Sequence, residues 1–335
     1  HEEMQSGRPR IVSPLYDRLK GRGAVFGSKL GWERPNWFAP AGVAPRDEPS
    51  MGRPNWFGPV GEEHAHVRSS VGIFDQSSFA KFEVTGSDAE RALDWVCAND
   101  ITRPPGRVTY TQLLNTRGGI EADLTVARLA PEQFYIVTGT GFRSHDLGWM
   151  ADRFPSGDVQ IRDVTEDWGT LSLMGPNART TLAAVTTADV SNEAVPFAHV
   201  REIDIAGVTV QALRVTYVGE LGWELHTPIA DTGRVFDALM EAGRSFGIRP
   251  VGYRALEALR LEKGYRAWSS DITPNDNPFE AGLGWAVKMR TNRPFLGREA
   301  MVAAKGQPIA KRFAGFLVDD GDAVLPVSYT HLRAH

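Results

Sequence analysis

At 335 residues the chain is long enough for two or three domains, and 42% hydrophobic and 23% charged residues suit a folded globular protein. A net charge of −4 argues against a nucleic-acid partner, and no run of about 18 apolar residues reads as a membrane span. The single cysteine, Cys97, excludes an intrachain disulfide and agrees with a reducing compartment, the cytoplasm or, for a eukaryotic source, the mitochondrial matrix.

Residues 1–60 do not read as an independent domain. They are short and turn-rich, and Arg34-Pro-Asn-Trp-Phe38 recurs as Arg53-Pro-Asn-Trp-Phe57. Two five-residue copies are too few for a solenoid. Pro and Trp in extended pieces suggest a segment packed onto a neighbouring domain. No G-x-G-x-x-G loop cradles a phosphate anywhere in the chain.

From Glu62 the pattern becomes regular. Residues 62–71 have a helical look, with His64 and His66 on opposite sides and so unable to share a metal. No other His or Cys spacing suits one. Phe79 to Thr85 alternates like a half-buried strand, and a helix through Ala98 follows, with Ser87 or Asp88 as its N-cap. Two apolar runs, Tyr110 to Leu114 and Ile120 to Val126, flank the break Asn115 to Gly119 and predict a hairpin with a tight turn. Gln133 to Thr138 is a further strand, and a helix covers about 144–154. Strands are expected over 159–164 and 169–174, then a helix with Pro176 in its first turn. Residues 199–216 form a hairpin around Ala206-Gly207. A strand over 223–227 and helices over 231–246 and 252–263 complete the body. Residues 311–318 open a new strand system. Strands and helices alternate without a β-α-β rhythm, which predicts an α+β fold. The non-alternating end, 327–335, and the start at His1 without Met read as a non-native tail and a fragment boundary.

Three stretches carry polar groups suited to chemistry. Asp123 lies inside an apolar strand, either as an edge acid facing water or as a carboxylate at a pocket wall. Glu220 lies between Gly219 and Gly222 in Tyr217–Glu224. It is either a solvated turn residue or an acceptor for two parallel N–H groups of a planar, amidine-like edge. After the helix that ends at Gly264, Tyr265 and Trp268 lie beside Asp271 and suit a flat heterocycle, although Trp268 also fits a core role.

Leu114-Asn-Thr-Arg-Gly-Gly-Ile-Glu-Ala-Asp-Leu124, Tyr217-Val-Gly-Glu-Leu-Gly222 and Leu259-Arg-Leu-Glu-Lys-Gly264 resemble the folate-binding aminomethyltransferase family, that of the glycine-cleavage T-protein. The likeness runs from about residue 62 to 318. Ser13–Lys20, Gly23–Gly27 and Trp32–Phe38 are similar to the tail of the FAD-dependent half of dimethylglycine and sarcosine dehydrogenases, in which a flavoprotein domain precedes a T-protein-like domain. The resemblance implies four parts: a flavoprotein remnant and linker at 1–60, a folate-binding body at 61–290, the start of a truncated C-terminal β-barrel at 291–326, and the tail.

The resemblance also implies roles. Asp123 matches the family's catalytic acid, and Ala122 stands where T-protein often has a second one. Glu220 matches the residue that holds the pterin's amino-pyrimidine edge. Tyr110, Asn115, Tyr217, Arg254 and Trp268 complete the implied tetrahydrofolate site. The chain departs from the family at Gly139, in place of an Asn, and at Leu256, in place of an Arg, with Arg254 nearby. The implied reaction is oxidative N-demethylation: FAD in the missing domain makes an iminium from a methylated amine. Tetrahydrofolate here then captures the carbon as 5,10-methylenetetrahydrofolate. This part alone is expected to bind no FAD. The rival readings are a stand-alone aminomethyltransferase working on a lipoyl carrier, against which the first sixty residues count, and a folate-binding module without turnover.

Overall fold

Apolar alternation and Gly- or Asn-rich breaks set the strands, and a computed structural model of the protein, describing residues 6–321, gathers them into three sheets. The N-terminal segment supplies α1 (Tyr16–Lys20) and a hairpin of β1 (Ala24–Lys29) and β2 (Trp32–Phe38). Next come α2 (Phe57–Ser69), β3 (Gly72–Asp75), β4 (Ala80–Thr85) and α3 (Ala89–Val96). A meander follows: β5 (Val108–Leu114), β6 (Ile120–Ala130) and β7 (Gln133–Thr138), then α4 (Arg143–Arg153) and β8 (Gln160–Asp163). The second half contains β9 (Trp168–Met174), α5 (Ala178–Ala183), β10 (Val200–Ile205), β11 (Val208–Leu213), β12 (Gly222–Pro228) and α6 (Thr232–Ala242). It ends with β13 (Arg249–Pro250), α7 (Tyr253–Glu262) and α8 (Arg298–Lys305).

A five-stranded antiparallel sheet runs β5-β6-β7-β4-β8. A six-stranded sheet runs β10-β11-β12-β9-β3-β13, antiparallel except where β13 joins β3. The fold is α+β. Leu93 and Val96 of α3 and Met150 of α4 pack with Leu124 and Val126 against one face of the five-stranded sheet. Phe236 and Leu239 of α6 and Leu182 of α5 pack with Leu171, Leu173 and Leu225 against one face of the six-stranded sheet. Between the sheets, Val108, Ala127, Tyr135 and Val137 meet Leu213. The order is helices, sheet, sheet, helices.

The period-2 rule places Ala122, Leu124 and Val126 in the helix-covered core of β6. Asp123, Thr125 and Ala127 therefore face the other sheet, as Ala127 does in the layer between the sheets. Tyr110 and Gln112 share that face, because β5 pairs Tyr110 with Thr125 and Gln112 with Asp123.

Several boundaries differ from the sequence expectation. Helix α2 begins at Phe57, five residues before the expected start, because Pro59 falls in its first turn, where a missing N–H does no harm. Asp88 precedes α3 but makes no capping bond; its carboxylate accepts from Arg91 Nε at 3.0 Å. Pro176 lies outside α5, which starts at Ala178. The helix expected over 231–246 is α6 followed by a tighter 3₁₀ turn, Gly243–Phe246, which Gly247 at φ +76° ends. No strand forms over 311–318: Phe313 N donates to Glu280 O at 2.9 Å, but no partner strand lies alongside among the described residues, and Phe316 and Leu317 are exposed. The expected tail at 327–335 lies outside the described residues.

The N-terminal segment is tied into the body. Leu15, Leu19 and Ala24 join the core beneath the six-stranded sheet. Glu63 on α2 bridges two elements: its carboxylate accepts from Phe38 N at 2.7 Å and Gly252 N at 2.8 Å. Burial pushes that carboxyl up to about 7. Gly252 leads into α7 directly against β2, and an added Cβ would lie 2.2 Å from Asn36 O and 2.6 Å from Trp37 N. Gly252→Ala must push β2 away from α7 and should destabilise the protein by about 1–3 kcal/mol, the usual range for overpacking. Denaturant melts compared with wild type measure this, and an unchanged midpoint would mean that β2 does not sit on α7 as described.

Candidate functional site

The β5–β6 hairpin is rigid because its turn satisfies itself. Asn115 Oδ1 accepts from Arg117 N at 2.9 Å and Gly119 N at 3.0 Å, and Asn115 Nδ2 donates to Glu121 Oε1 at 2.8 Å. Asn115 thus holds the turn. Asp123 lies four residues beyond the turn's end, half-buried by exposure yet desolvated by the protein around it. Its Oδ2 accepts from the Tyr110 hydroxyl at 3.0 Å.

The electrostatics follow from that setting. Burial raises the Asp123 carboxyl from an ordinary 3.8 to about 6; the Tyr110 bond opposes the shift and nearby Asp146 adds to it. Burial, then the Asp123 charge, hold the Tyr110 hydroxyl well above its usual range. Asp146, at the start of α4, is itself raised by burial and accepts from Thr138 Oγ1 at 2.6 Å, with His145 Nδ1 2.8 Å away. An acid poised near 6 can take up and return a proton near neutral pH.

Tyr217 and Glu220 lie on the loop between β11 and β12. Burial raises the Tyr217 hydroxyl, and the Asp123 carboxylate is among the charges acting on it. That hydroxyl donates to Arg266 O at 2.8 Å, and its ring stacks on Tyr265 with centroids 6.1 Å apart. Gly219 adopts φ +78° beneath the Lys263 side chain, a conformation and a contact that a Cβ would not tolerate. Glu220 Oε1 accepts from Arg68 Nη1 at 2.9 Å, and Arg68 also donates to Val218 O at 2.6 Å and Leu259 O at 3.1 Å. Glu220 Oε2 has no hydrogen-bond partner among the described residues.

Trp268 donates from Nε1 to Ile120 O at 2.8 Å, at the foot of β6, and meets Phe142 edge-on at 4.6 Å. It therefore braces the hairpin. Trp285, largely exposed, stacks over Tyr110 at 5.9 Å. Asp271, beside Trp268 in sequence, pairs with Arg260. Arg254 is held elsewhere: it forms two bonds with Asp47, at 2.9 and 2.6 Å, and lies 3.8 Å above the Trp56 ring. It lines a groove of about 600 Å³ with Arg34, Trp56, Phe57 and Tyr253, to which Asp123 and Glu220 do not contribute.

The structure thus joins Asp123 directly to Tyr110, places Tyr217 within reach of its field, and puts Trp268 and Asn115 in the frame of the same hairpin. Arg68, Gln112, Asp146 and Trp285 escaped the sequence reading. Arg68 lies 152 residues from its partner Glu220, a separation no local pattern reveals. Gln112 had a usable signal, its place two residues from Tyr110 and across the turn from Asp123.

The GCVT N-terminal domain model matches residues 15–291, a span that takes in β1 and β2. The chain belongs to this family. It is 37% identical over 359 residues to mitochondrial sarcosine dehydrogenase from Homo sapiens, an alignment covering 96% of this chain and 39% of that protein. It is 39% identical over 324 residues to mitochondrial dimethylglycine dehydrogenase from Mus musculus, covering 96% and 37%. The chain therefore spans about two fifths of the length of these relatives. Among solved structures, glycine cleavage system aminomethyltransferase T from Bartonella henselae superposes with a TM-score of 0.74 at 28% identity, over 88% of this chain and 75% of that one. The α+β fold is that of the aminomethyltransferase T-protein.

The raised acid gives a stability test. Folded, Asp123 holds its proton up to about pH 6; unfolded, to about 4. Between those values the folded state binds more protons, so stability falls as pH rises through the window and stays reduced above it. Asp123→Asn keeps the acceptor for Tyr110 and removes the buried charge. At pH 8 it should stabilise the fold by on the order of 1–2 kcal/mol, a gain that disappears below about pH 4. Urea melts across pH decide it; a loss of stability at pH 8 would mean the carboxylate is well solvated.

Proposed function

We propose that this chain is the tetrahydrofolate-dependent half of an enzyme that oxidatively demethylates an N-methyl amine such as sarcosine or dimethylglycine, residues 61–290 forming the folate-binding body. A flavin domain elsewhere in the polypeptide would hold the FAD and generate the iminium. The observation that carries the reading is the Tyr110–Asp123 pair, a desolvated acid with a pKa near 6 held by a phenol. The likeness to the two dehydrogenases directs the choice of amine. A reducing compartment, cytoplasm or mitochondrial matrix, suits the lone buried Cys97.

The residues present suit a folate. A flat, donor-rich ring needs a carboxylate with capacity to spare, and Glu220 has an oxygen without a partner among the described residues. The stacked pair Tyr217 and Tyr265, with Tyr110 and Trp268 on and beside the hairpin, would supply aromatic surface for such a ring. Asn115 shapes the turn; Arg254 lies further off with Asp47. Bound tetrahydrofolate supplies the nucleophilic nitrogen that accepts the one-carbon unit.

The chain's own residues do the rest. Arg68 fixes Glu220 through one oxygen and leaves Oε2 to accept from the ligand's N–H groups. Tyr110 fixes Asp123 through Oδ2. Oδ1 makes no bond to another of the described residues and is the atom left to accept a proton. The ionised carboxylate also favours positive charge beside it, a stronger effect where water is excluded.

Two experiments test this. Glu220→Gln should weaken binding of a reduced folate by roughly 2 kcal/mol or more in calorimetry, because it leaves ligand donors unpaired. Unchanged affinity would reduce Glu220 to a turn residue. In the complete polypeptide, Asp123→Asn should leave amine oxidation intact while methylenetetrahydrofolate formation falls on the order of 100-fold, with formaldehyde taking its place. Wild-type folate product from that variant would sink the role assigned to Asp123.

A further inference from the structure

Among the described residues, Gln112 has no hydrogen-bond partner for its side-chain amide. Its side chain is fully buried, and both amide atoms, Oε1 and Nε2, lack a partner. Among the described residues it is the one amide in which both atoms are buried and unpaired. Leaving such groups unpaired is costly, so a buried amide in this state calls for an explanation. An apolar residue of similar size would fill the site more cheaply if packing alone mattered.

Its position supplies the explanation. Gln112 lies directly across β5–β6 from Asp123 and two residues along the strand from Tyr110, so all three side chains project from one face. The Gln112 amide is close enough to the Tyr110 hydroxyl to pull that group's pKa down, against burial and the Asp123 charge, although the two make no bond of ordinary geometry. The terminal torsion of Gln is broad, so the orientation of this amide toward the phenol is adjustable.

We propose that Gln112 is a positioning residue for Asp123: its Nε2–H donates to the Tyr110 oxygen, and Tyr110 in turn donates to Asp123 Oδ2. The first bond polarises the phenol and strengthens the second, as in any chain of hydrogen bonds in a dry setting. Gln112 thereby favours the ionised form of Asp123 and fixes its orientation without touching the ligand. No bond is made or broken in this role, and the only protons concerned are those of the hydrogen bonds. The inference rests on the folate-site reading for its catalytic consequence alone. The relay itself belongs to the fold.

The test is therefore made on the chain without ligand. Carboxyl carbons labelled in Asp are titrated by NMR, with Asp123→Asn supplying the assignment. Gln112→Met, of similar length and without the amide, should raise the Asp123 pKa by about half a unit or more. Tyr110→Phe should raise it too. The double variant should add little to Tyr110→Phe, because the amide acts through the phenol. Circular dichroism establishes that each variant is folded. Should Gln112→Met fail to fold, Gln112→Asn keeps the amide but withdraws it from Tyr110, and the same upward shift is expected. An unchanged Asp123 pKa in a folded Gln112 variant overturns the proposal, as do fully additive shifts in the double variant. In the complete polypeptide, the acid limb of the folate-transfer profile should move up with the titration. If the titration moves while no variant binds folate, the relay stands and the folate reading falls. If folate binds but the titration does not move, the reverse holds.

Discussion

A carboxylate kept from water on a strand is the constraint around which this site is arranged. Asp123 cannot shed its desolvation cost onto a cation, because its bonded neighbour is a neutral phenol. The carboxyl therefore remains a weak acid, and the fold has to hold it there. That requires a fixed register. A one-residue slip between β5 and β6 would turn Asp123 into the helix-covered core and Leu124 toward the other sheet. The register is pinned from both ends of the turn, by the Asn115 side chain inside it and by the Trp268 indole on Ile120 outside it.

The space between the sheets is polar beyond this hairpin. Lys81 is fully buried, donates to Ser77 O at 2.7 Å and is pulled down to about 7 by burial, with Asp75, Asp163 and Glu224 opposing. His226 is fully buried against Tyr135 and Thr170. Burial disfavours charge on Lys81 and Asp123 alike, and so lowers one pKa and raises the other. Leu213, Val108 and Val137 supply apolar packing within the same layer.

The sequence revealed elements whose local preference and tertiary context agree. Gln133–Thr138 forms the strand its alternation predicts, and the Asn115–Gly119 break forms the turn its residues favour. It failed where context decides. Arg34-Pro-Asn-Trp-Phe38 is strand, whereas the identical Arg53-Pro-Asn-Trp-Phe57 is irregular and runs into α2. The first copy has β1 to pair with; the second has no strand beside it among the described residues, and its Trp56 lies on Arg254 of α7. Residues 311–318 likewise have strand composition without a partner. Site residues divide the same way. Asp123 and Glu220 stand out because an acid inside an apolar run and an acid between glycines are locally odd. Arg68 looks like any helix-surface arginine until the fold brings Glu220 to it. Gln112 in a strand is unremarkable until the register sets it against Asp123.

Arg68 illustrates how such a site is prepared before a ligand arrives. Two backbone carbonyls and two carboxylates, Glu220 and Glu262, surround its guanidinium. The carbonyls come from the β11–β12 loop and from α7, so the arginine fastens the loop to the body. A free Glu220 would sample several rotamers, and ordering it on binding would consume part of the interaction energy. With one oxygen already fixed, the other points in a set direction at no further entropic cost. The same logic applies to Asp123, fixed through Oδ2 with Oδ1 left over. Each acid has one oxygen tied to the protein and one without a partner among the described residues, so the protein sets the direction in which each acceptor is offered.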